Sequence, residues 1–284
     1  MLRITSPITE RIRRNMIDIT EKEFIQFSQL IESRYGIHLK SEKKSLLMGR
    51  LQNVLMKKNF HNFTQYYDYI IQDKTGTATN ELVDKITTNH TFFLREKGHF
   101  TFFEDVVLPY FEKTLKDGFR VWSAGCSSGE EPYTLSMILS DFISNHKIQS
   151  EARILATDIS DKVLNQARTG VYTSESIDVL PNMWKLRYLN KIDHEKYEFN
   201  QSIKEKILFK KFNLMNDFPF RRKFHTIFCR NVMIYFDYST RSELIKKFYD
   251  AIEIGGYLFI GQSESIIRDN NQFQYIMPSV YRKV

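Results

Sequence analysis

Cysteine is scarce in this chain of 284 residues: there are two, Cys126 and Cys229. Neither sits at a spacing that would make a disulfide framework or a zinc site, so both are expected to be small buried thiols without a catalytic part and no metal is expected. No apolar run approaches the roughly 20 residues that a membrane helix needs, which argues against insertion in a bilayer. The start, Met-Leu-Arg-Ile-Thr-Ser-Pro, lacks the charged head, apolar stretch and small-residue cleavage site of a signal peptide, and this predicts a cytoplasmic protein. Repeats and low-complexity linkers are missing too. The seven histidines are scattered, with no His-acid or Ser-His constellation for acyl or proton chemistry. A G-x-G-x-x-G loop is also absent, although a dinucleotide enzyme would normally keep those three glycines.

What is present suits a globular protein. With 42% apolar residues the chain can bury a full core, and its length fits one large domain plus a smaller one. The net charge of +7 is unevenly spread: the first sixty residues hold twelve Lys and Arg against six Asp and Glu, and the rest is almost neutral. A basic appendage on a neutral body points to an acidic partner.

The amino-terminal part reads as helices. Thr20 and Glu23 form a capping box, Ile19 and Phe24 fit a hydrophobic staple, and Phe24, Phe27, Leu30 and Ile31 make one apolar stripe that Gly36 ends. Ser41 can cap a second helix to about Lys58 with Leu47, Leu51, Val54 and Leu55 inward, and further pieces are expected near Phe63 to Ile71 and Ala78 to Thr87. Pro109 is expected to break the amphipathic stretch Glu96 to Leu115.

From Phe119 onward strands and helices alternate, which implies a parallel sheet with helices on both faces. Arg120 to Ala124 is a short apolar strand, Gly125 to Gly129 a tight loop of small residues, and Glu130 to Phe142 a helix with Pro132 in its first turn. Such a loop brings backbone amides close to a polar or anionic group. A second strand, Arg153 to Thr157, ends in Asp158, where doubly wound folds hold ribose hydroxyls, and Ser160 and Gly170 bound the next helix. Phe224 to Cys229 reads as a buried strand that delivers Arg230, Asn231 and Tyr235 to the ligand-binding end of the sheet. A helix capped by Ser239, a strand from Gly256 to Ile260 and an antiparallel return near Val280 to Arg282 finish the chain.

Six ordered motifs run nearly end to end: Thr87-Thr-Asn-His-Thr-Phe-Phe-Leu-Arg95, Trp122-Ser-Ala-Gly-Cys-Ser-Ser-Gly-Glu-Glu-Pro-Tyr133, Ala156-Thr-Asp-Ile159, Phe212-Asn-Leu214, Cys229-Arg-Asn-Val-Met-Ile-Tyr-Phe236 and Gly256-Tyr-Leu-Phe-Ile-Gly-Gln-Ser-Glu264. In these the chain resembles the chemotaxis receptor methyltransferases, the CheR family, which move a methyl group from S-adenosylmethionine to receptor glutamates. The resemblance implies an all-helical amino-terminal domain over residues 1–90, basic and used for substrate docking. It implies an α/β, doubly wound Rossmann-like methyltransferase domain over 91–284, with a small β insertion at about 171–207 that takes in the helix near Met183, Tyr197 to Phe199 and Ile207 to Phe212. Gln262 departs from the family's usual His and removes a titratable group. No role is carried onto His90 or Ser160.

By the same resemblance, Asn89, Thr91 and Arg95 approach the cofactor, Gly125 and Glu131 hold or flank its methionine end, Asp158 accepts from the ribose, and Asn213 and Leu214 border the adenine. Arg230, Asn231 and Tyr235 would lie near the transferred methyl, with Arg95, Arg230 and Tyr235 the catalytic candidates. A guanidinium at position 95 or 230 matches a carboxylate bidentately. A glutamate acceptor, with an ordinary pKa of about 4.3, needs no general base. Lys43, Arg50 and Lys57 recur every seven residues, a row about 21 Å long that would meet acids at heptad spacing on a receptor coiled coil. The glycine-free stretch Tyr188 to Tyr197 suggests action without a tethering peptide, and no leftover apolar seam suggests a monomer. The competing readings are a nucleic-acid methyltransferase, disfavoured because Arg230-Asn-Val-Met replaces Asp/Asn-Pro-Pro-aromatic, and a regulator that binds S-adenosylmethionine without turnover.

Overall fold

The computed structural model describes residues 17–112, 118–149, 152–266 and 273–284, so Arg3, Arg11, Arg13 and Arg14 of the basic segment lie outside the described residues. The chain divides between Thr87 and Thr88 into two compact units.

The first unit is helical: α1 Glu21–Tyr35, α2 Lys44–Lys57, α3 Phe63–Gln72 and α4 Thr77–Ile86. Helix α1 starts at the capping box, where the Glu23 amide donates to Thr20 Oγ1 at 3.2 Å and the Thr20 amide donates to Glu23 Oε2 at 2.9 Å. Glu23 also accepts from the amide and hydroxyl of Thr64, at 2.8 and 2.9 Å, so one carboxylate closes α1 and joins it to α3. Burial alone would raise the Glu23 carboxyl, but these donors from Thr20 and Thr64 outweigh it and hold the carboxyl below its ordinary value. Phe27 sits at the centre, in ring contact with Phe63, Tyr66 and Tyr67. The expected Ser41 cap is replaced by a 3-10 turn, Ser41–Lys43, and α2 begins after it with no side-chain cap.

The second unit is built on a seven-stranded sheet. Its strands are β1 Arg120–Ala124, β2 Arg153–Asp158, β6 Ile207–Lys211, β7 Phe224–Cys229, β8 Ile252–Ile260, β9 Phe273–Met277 and β10 Val280–Lys283, in the order β6-β2-β1-β7-β8-β10-β9. The five from β6 to β8 are parallel, while β10 and β9 return antiparallel. A separate antiparallel sheet holds β3 Val171–Thr173, β4 Leu189–Lys191 and β5 Lys196–Phe199. Ile207–Lys211 is therefore not part of the small insertion. It pairs with β2 from Ile154↔Ile207 to Asp158↔Lys211 and forms an edge of the main sheet.

Alternation along β1 sends side chains to both faces. Val121 joins a core with Phe103, Leu135 and Phe228, supplied by helix α5 Lys97–Phe102 and its continuation and by helix α7 Glu130–Asn145. Trp122 points the other way, against Phe212, Phe218, Phe220, Phe224 and, from helix α10 Tyr238–Ala251, Phe248. Helices cover both faces, as a parallel sheet requires. Helix α8 Asp161–Thr169 has its Ser160 cap and its left-handed Gly170 stop, and α9 Asn182–Tyr188 lies within the insertion. Pro109 does not break its helix. A π turn, Phe103–Val107, widens the ladder ahead of it, and Pro109 then falls at the start of α6 Leu108–Phe111, where a missing amide hydrogen is tolerated. Asp237, not Ser239, caps α10, its Oδ1 accepting from the Thr240 amide at 2.8 Å.

Trp122 is wholly buried and its Nε1 donates to Thr157 Oγ1 at 2.9 Å. Trp122→Ala is expected to lose about 3–5 kcal/mol of stability through the cavity it leaves. Urea unfolding followed by circular dichroism reads this, and a loss under about 1 kcal/mol would contradict the packing described.

Candidate functional site

The sheet order reverses between β1 and β7, and their carboxyl ends frame the crevice where open α/β sheets bind ligands. After β1 the chain turns at Gly125, whose amide, like that of Cys126, donates to the Thr157 carbonyl at 2.8 and 2.9 Å. Gly125 has φ +88°, and a Cβ there would lie 2.4 Å from Val232 Cγ2, so only glycine fits between the two strand ends. After β2, Asp158 is buried, with Oδ2 accepting from the Ser127 amide at 2.9 Å and Oδ1 from the Ser160 amide at 3.0 Å. The Phe212 amide donates to the Asp158 carbonyl at 3.0 Å, which sets Asn213 and the buried Leu214 beside the same strand end.

At the β7 end, Arg230 is buried among carboxylates of the protein itself. Its Nη1 donates to Glu131 Oε2 at 2.9 Å, its Nη2 and Nε donate to Glu96 Oε2 at 3.1 and 3.3 Å, and Nη2 also meets the Arg95 carbonyl. Only 4% of the Arg230 side chain is exposed, against 11% for Glu96 and 14% for Glu131, so the guanidinium is spent on internal partners and not held open for an incoming carboxylate. Glu131 stands in the first turn of α7 and also accepts from the buried Ser123 hydroxyl at 2.7 Å. Desolvation works to raise the Glu96 carboxyl. The Arg230 charge, the Gln262 amide and the Asn231 side chain prevail and lower it.

The segment 88–96 is pinned along its length. Ser127 Oγ donates to the Asn89 carbonyl at 3.0 Å, Phe93 is buried with its ring 4.9 Å from that of Tyr172, and Arg230 holds the Arg95 carbonyl. The half-buried Arg95 side chain donates to the His90 carbonyl at 2.8 Å. Thr91 is half-buried on this segment, and Tyr235 is half-buried at the end of the 3-10 turn Met233–Tyr235.

Arg95, Glu131, Arg230 and Asn231 thus share one network, and Gly125, Asp158, Asn213 and Leu214 cluster at neighbouring strand ends. Lys43, Arg50 and Lys57 belong to the helical unit, where they do not form one exposed row. Lys43 ends the 3-10 turn, Lys57 is exposed, and Arg50 turns its guanidinium to the carbonyl of Ile86, the last residue of α4. Two residues of the network were not singled out from the sequence, Glu96 and Glu264. Glu96 was hidden beside Arg95, and its signal is conformational: Leu94, Glu96, Ser127 and Asn231 all have positive φ, which non-glycine residues seldom adopt, and all four surround this crevice. Both thiols are buried and pushed well up by desolvation, which leaves them inert.

Arg230→Ala would strand two largely buried carboxylates and is expected to destabilise the fold by about 3–5 kcal/mol. Because the folded Glu96 carboxyl lies below its ordinary value of 4.5, its contribution is full above that pH and fades as pH falls beneath it. Unfolding midpoints measured from pH 7 to 3 should therefore fall less steeply in Glu96→Gln than in the wild type; parallel curves would contradict this.

Residues 22–87 match the family description "CheR methyltransferase, all-alpha domain", and residues 89–281 match "CheR methyltransferase, SAM binding domain". A chemotaxis protein methyltransferase of Borreliella burgdorferi is 44% identical over 272 residues, covering 94% of this chain and 96% of that one. A probable chemotaxis protein methyltransferase of Rhizobium etli is 33% identical, with 84% of this chain and 90% of that one covered. Among solved structures, a glycopeptide N-methyltransferase complexed with S-adenosyl-L-methionine covers 55% of this chain and 48% of its own at 13% identity and a TM-score of 0.32, a likeness that carries no weight. Two consecutive domain matches and near full-length relatives agree: the chain belongs to the CheR methyltransferase family, the S-adenosylmethionine-dependent chemotaxis protein methyltransferases.

Proposed function

We propose that this enzyme esterifies glutamate side chains of chemotaxis receptors, with S-adenosylmethionine as methyl donor and S-adenosylhomocysteine as product. The observation that carries the reading is that the carboxylates described around the crevice already accept hydrogen bonds from the protein itself. Glu96, Glu131, Asp158 and Glu264 each accept from donors of the protein. His99 is buried and desolvation, helped by the Arg230 charge, pushes it down to about 4, so it is neutral at pH 7 and a weak base. An amine or hydroxyl nucleophile would need a proton acceptor there. A carboxylate needs none.

The residues suit the donor. One arginine between Glu96 and Glu131 leaves an excess of one negative charge, which favours a cationic sulfonium and ammonium. An ionised carboxylate oxygen accepts more than one hydrogen bond, so Asp158 can hold ribose hydroxyls in addition to its amide donors. When bound, S-adenosylmethionine supplies a methyl group on a positively charged sulfur, and the chain's part is to orient and to exclude water. Orientation can lower the barrier by about 7–11 kcal/mol. In this reading Arg95, Asn89 and Thr91 border the donor, Tyr235 orients the methyl or the acceptor, and Arg230 positions Glu131 and the 88–96 segment.

The acceptor would be the helical coiled coil of a receptor, met by the exposed Lys43 and Lys57 of the helical unit.

Purified enzyme incubated with methyl-labelled donor and a receptor cytoplasmic fragment is expected to give label that mild alkali releases, as an ester requires. Alkali-stable label on nucleic acid, or donor binding with no transfer, would overturn the proposal in favour of a nucleic-acid methyltransferase or a non-catalytic regulator. The double change Lys43→Glu with Lys57→Glu should cut receptor methylation by about twofold to thirtyfold, at roughly 0.2–1 kcal/mol for each of two exposed pairs, with donor affinity unchanged in calorimetry. Arg50→Glu should instead lower the melting temperature, because Arg50 caps α4.

A further inference from the structure

The motif at the end of β8, Gly261-Gln-Ser-Glu264, brings to the crevice Glu264, one of its most buried charges, whose carboxylate binds backbone and, among the described residues, no other charge. Glu264 is 7% exposed. Its Oε2 accepts from the Asn231 amide at 3.0 Å and from the Gly261 amide at 2.5 Å, and its Oε1 accepts from the Ile234 amide at 3.0 Å. Asn231 and Ile234 bracket the turn that follows β7, which carries Arg230 at one end and Tyr235 at the other. That turn is costly to form, since Asn231 has φ +59° and the backbone then winds into a single 3-10 turn, Met233–Tyr235. Without Glu264 the partly buried amides of Asn231 and Ile234 would lose these partners.

The two segments also approach too closely for side chains. A Cβ on Gly261 would lie 2.5 Å from Asn231 Nδ2, 2.8 Å from Asn231 N and 2.9 Å from Glu264 Oε2. Ser279 Oγ donates to the Gly261 carbonyl at 3.1 Å and the Glu264 amide to the same carbonyl at 2.9 Å, so the β8 end is itself braced from β10. From the opposite side, Glu96 Oε1 accepts from Asn231 Nδ2 at 3.3 Å and from the Gln262 amide at 3.2 Å. The turn is gripped between two carboxylates, and Glu264 is the one that binds its backbone.

We infer that Glu264 is a positioning residue for methyl transfer: by fixing the amides of Asn231 and Ile234 it sets where Tyr235 stands. It acts through Tyr235 and rests on the reading of Tyr235 as the residue that orients the methyl or the acceptor. Both Glu264 oxygens are needed, because both take amide donors. Glutamine, isosteric but with an NH2 in place of one oxygen, would turn a donor against a donor and displace the turn.

The test compares Glu264→Gln, Tyr235→Phe and the double variant for donor affinity by calorimetry and for kcat and KM with receptor fragment. Glu264→Gln is expected to bind the donor within about threefold of wild type while kcat falls on the order of 10²-fold, the loss that a misplacement of about 1 Å can cause. The double variant should be no slower than the worse single one, because the two changes disable one device. Losses that multiply in the double variant overturn the inference and leave the Tyr235 reading intact. A Tyr235→Phe enzyme with wild-type kcat overturns both. A Glu264→Gln enzyme with unchanged kcat, or with donor affinity lost in step with kcat, overturns the inference alone. Should Glu264→Gln not fold, Glu264→Asp, one methylene too short to span both amides, carries the same comparison with the same outcomes.

Discussion

A guanidinium that is almost wholly out of water organises the catalytic unit. Arg230 leaves β7 with its charge buried, and such a charge persists only where carboxylates and carbonyls close around it. Glu96, Glu131 and the Arg95 carbonyl do so, and they come from two places in the chain: the segment just ahead of α5 and the first turn of α7. One side chain therefore ties two segments to the end of β7. The need to satisfy it, more than any propensity of those segments, decides their path.

Around this ion cluster the backbone departs from regular conformations. Leu94, Glu96, Ser127 and Asn231 adopt positive φ, at about 1–3 kcal/mol each for residues with a Cβ. Three of the four are tied to a bond made there: Ser127 gives its amide to Asp158, Glu96 collects donors from the segments that follow β7 and β8, and Asn231 gives its amide to Glu264. The strain is offset by these hydrogen bonds and by a sheet packed with aromatic rings on both faces. Rigid strands below and strained turns above suit a reaction that asks mainly for orientation and dryness.

Much of this architecture is legible in the amino-acid order. The capping box at Thr20 and Glu23, the apolar stripe of α1 and the bounds of α8 are written locally, because each depends on neighbours within a few residues. The strand, tight loop and helix from Arg120 to Phe142, and Asp158 at the end of β2, follow from period and position. Elements that depend on distant partners read less well. Ile207–Lys211 resembles a strand of the insertion until β2 is seen beside it. Pro109 resembles a helix breaker until the π turn absorbs it. Ser239 competes with Asp237 for the cap of α10, and the carboxylate two residues earlier has the reach.

By itself, then, the sequence determined what local periodicity, capping chemistry and ordered motifs can encode: a helical unit ahead of an α/β methyltransferase sheet, and which strand ends carry polar residues. The tertiary structure decided which charges meet. Arg50 looked like part of an exposed basic row and is turned onto α4; Arg230 looked open to a carboxylate from outside and is held by Glu96 and Glu131; Glu264 had no role until Asn231 and Ile234 were set against it. A charge's partners depend on distances through space between residues up to 166 positions apart in the chain, and only the folded sheet brings them within hydrogen-bond reach.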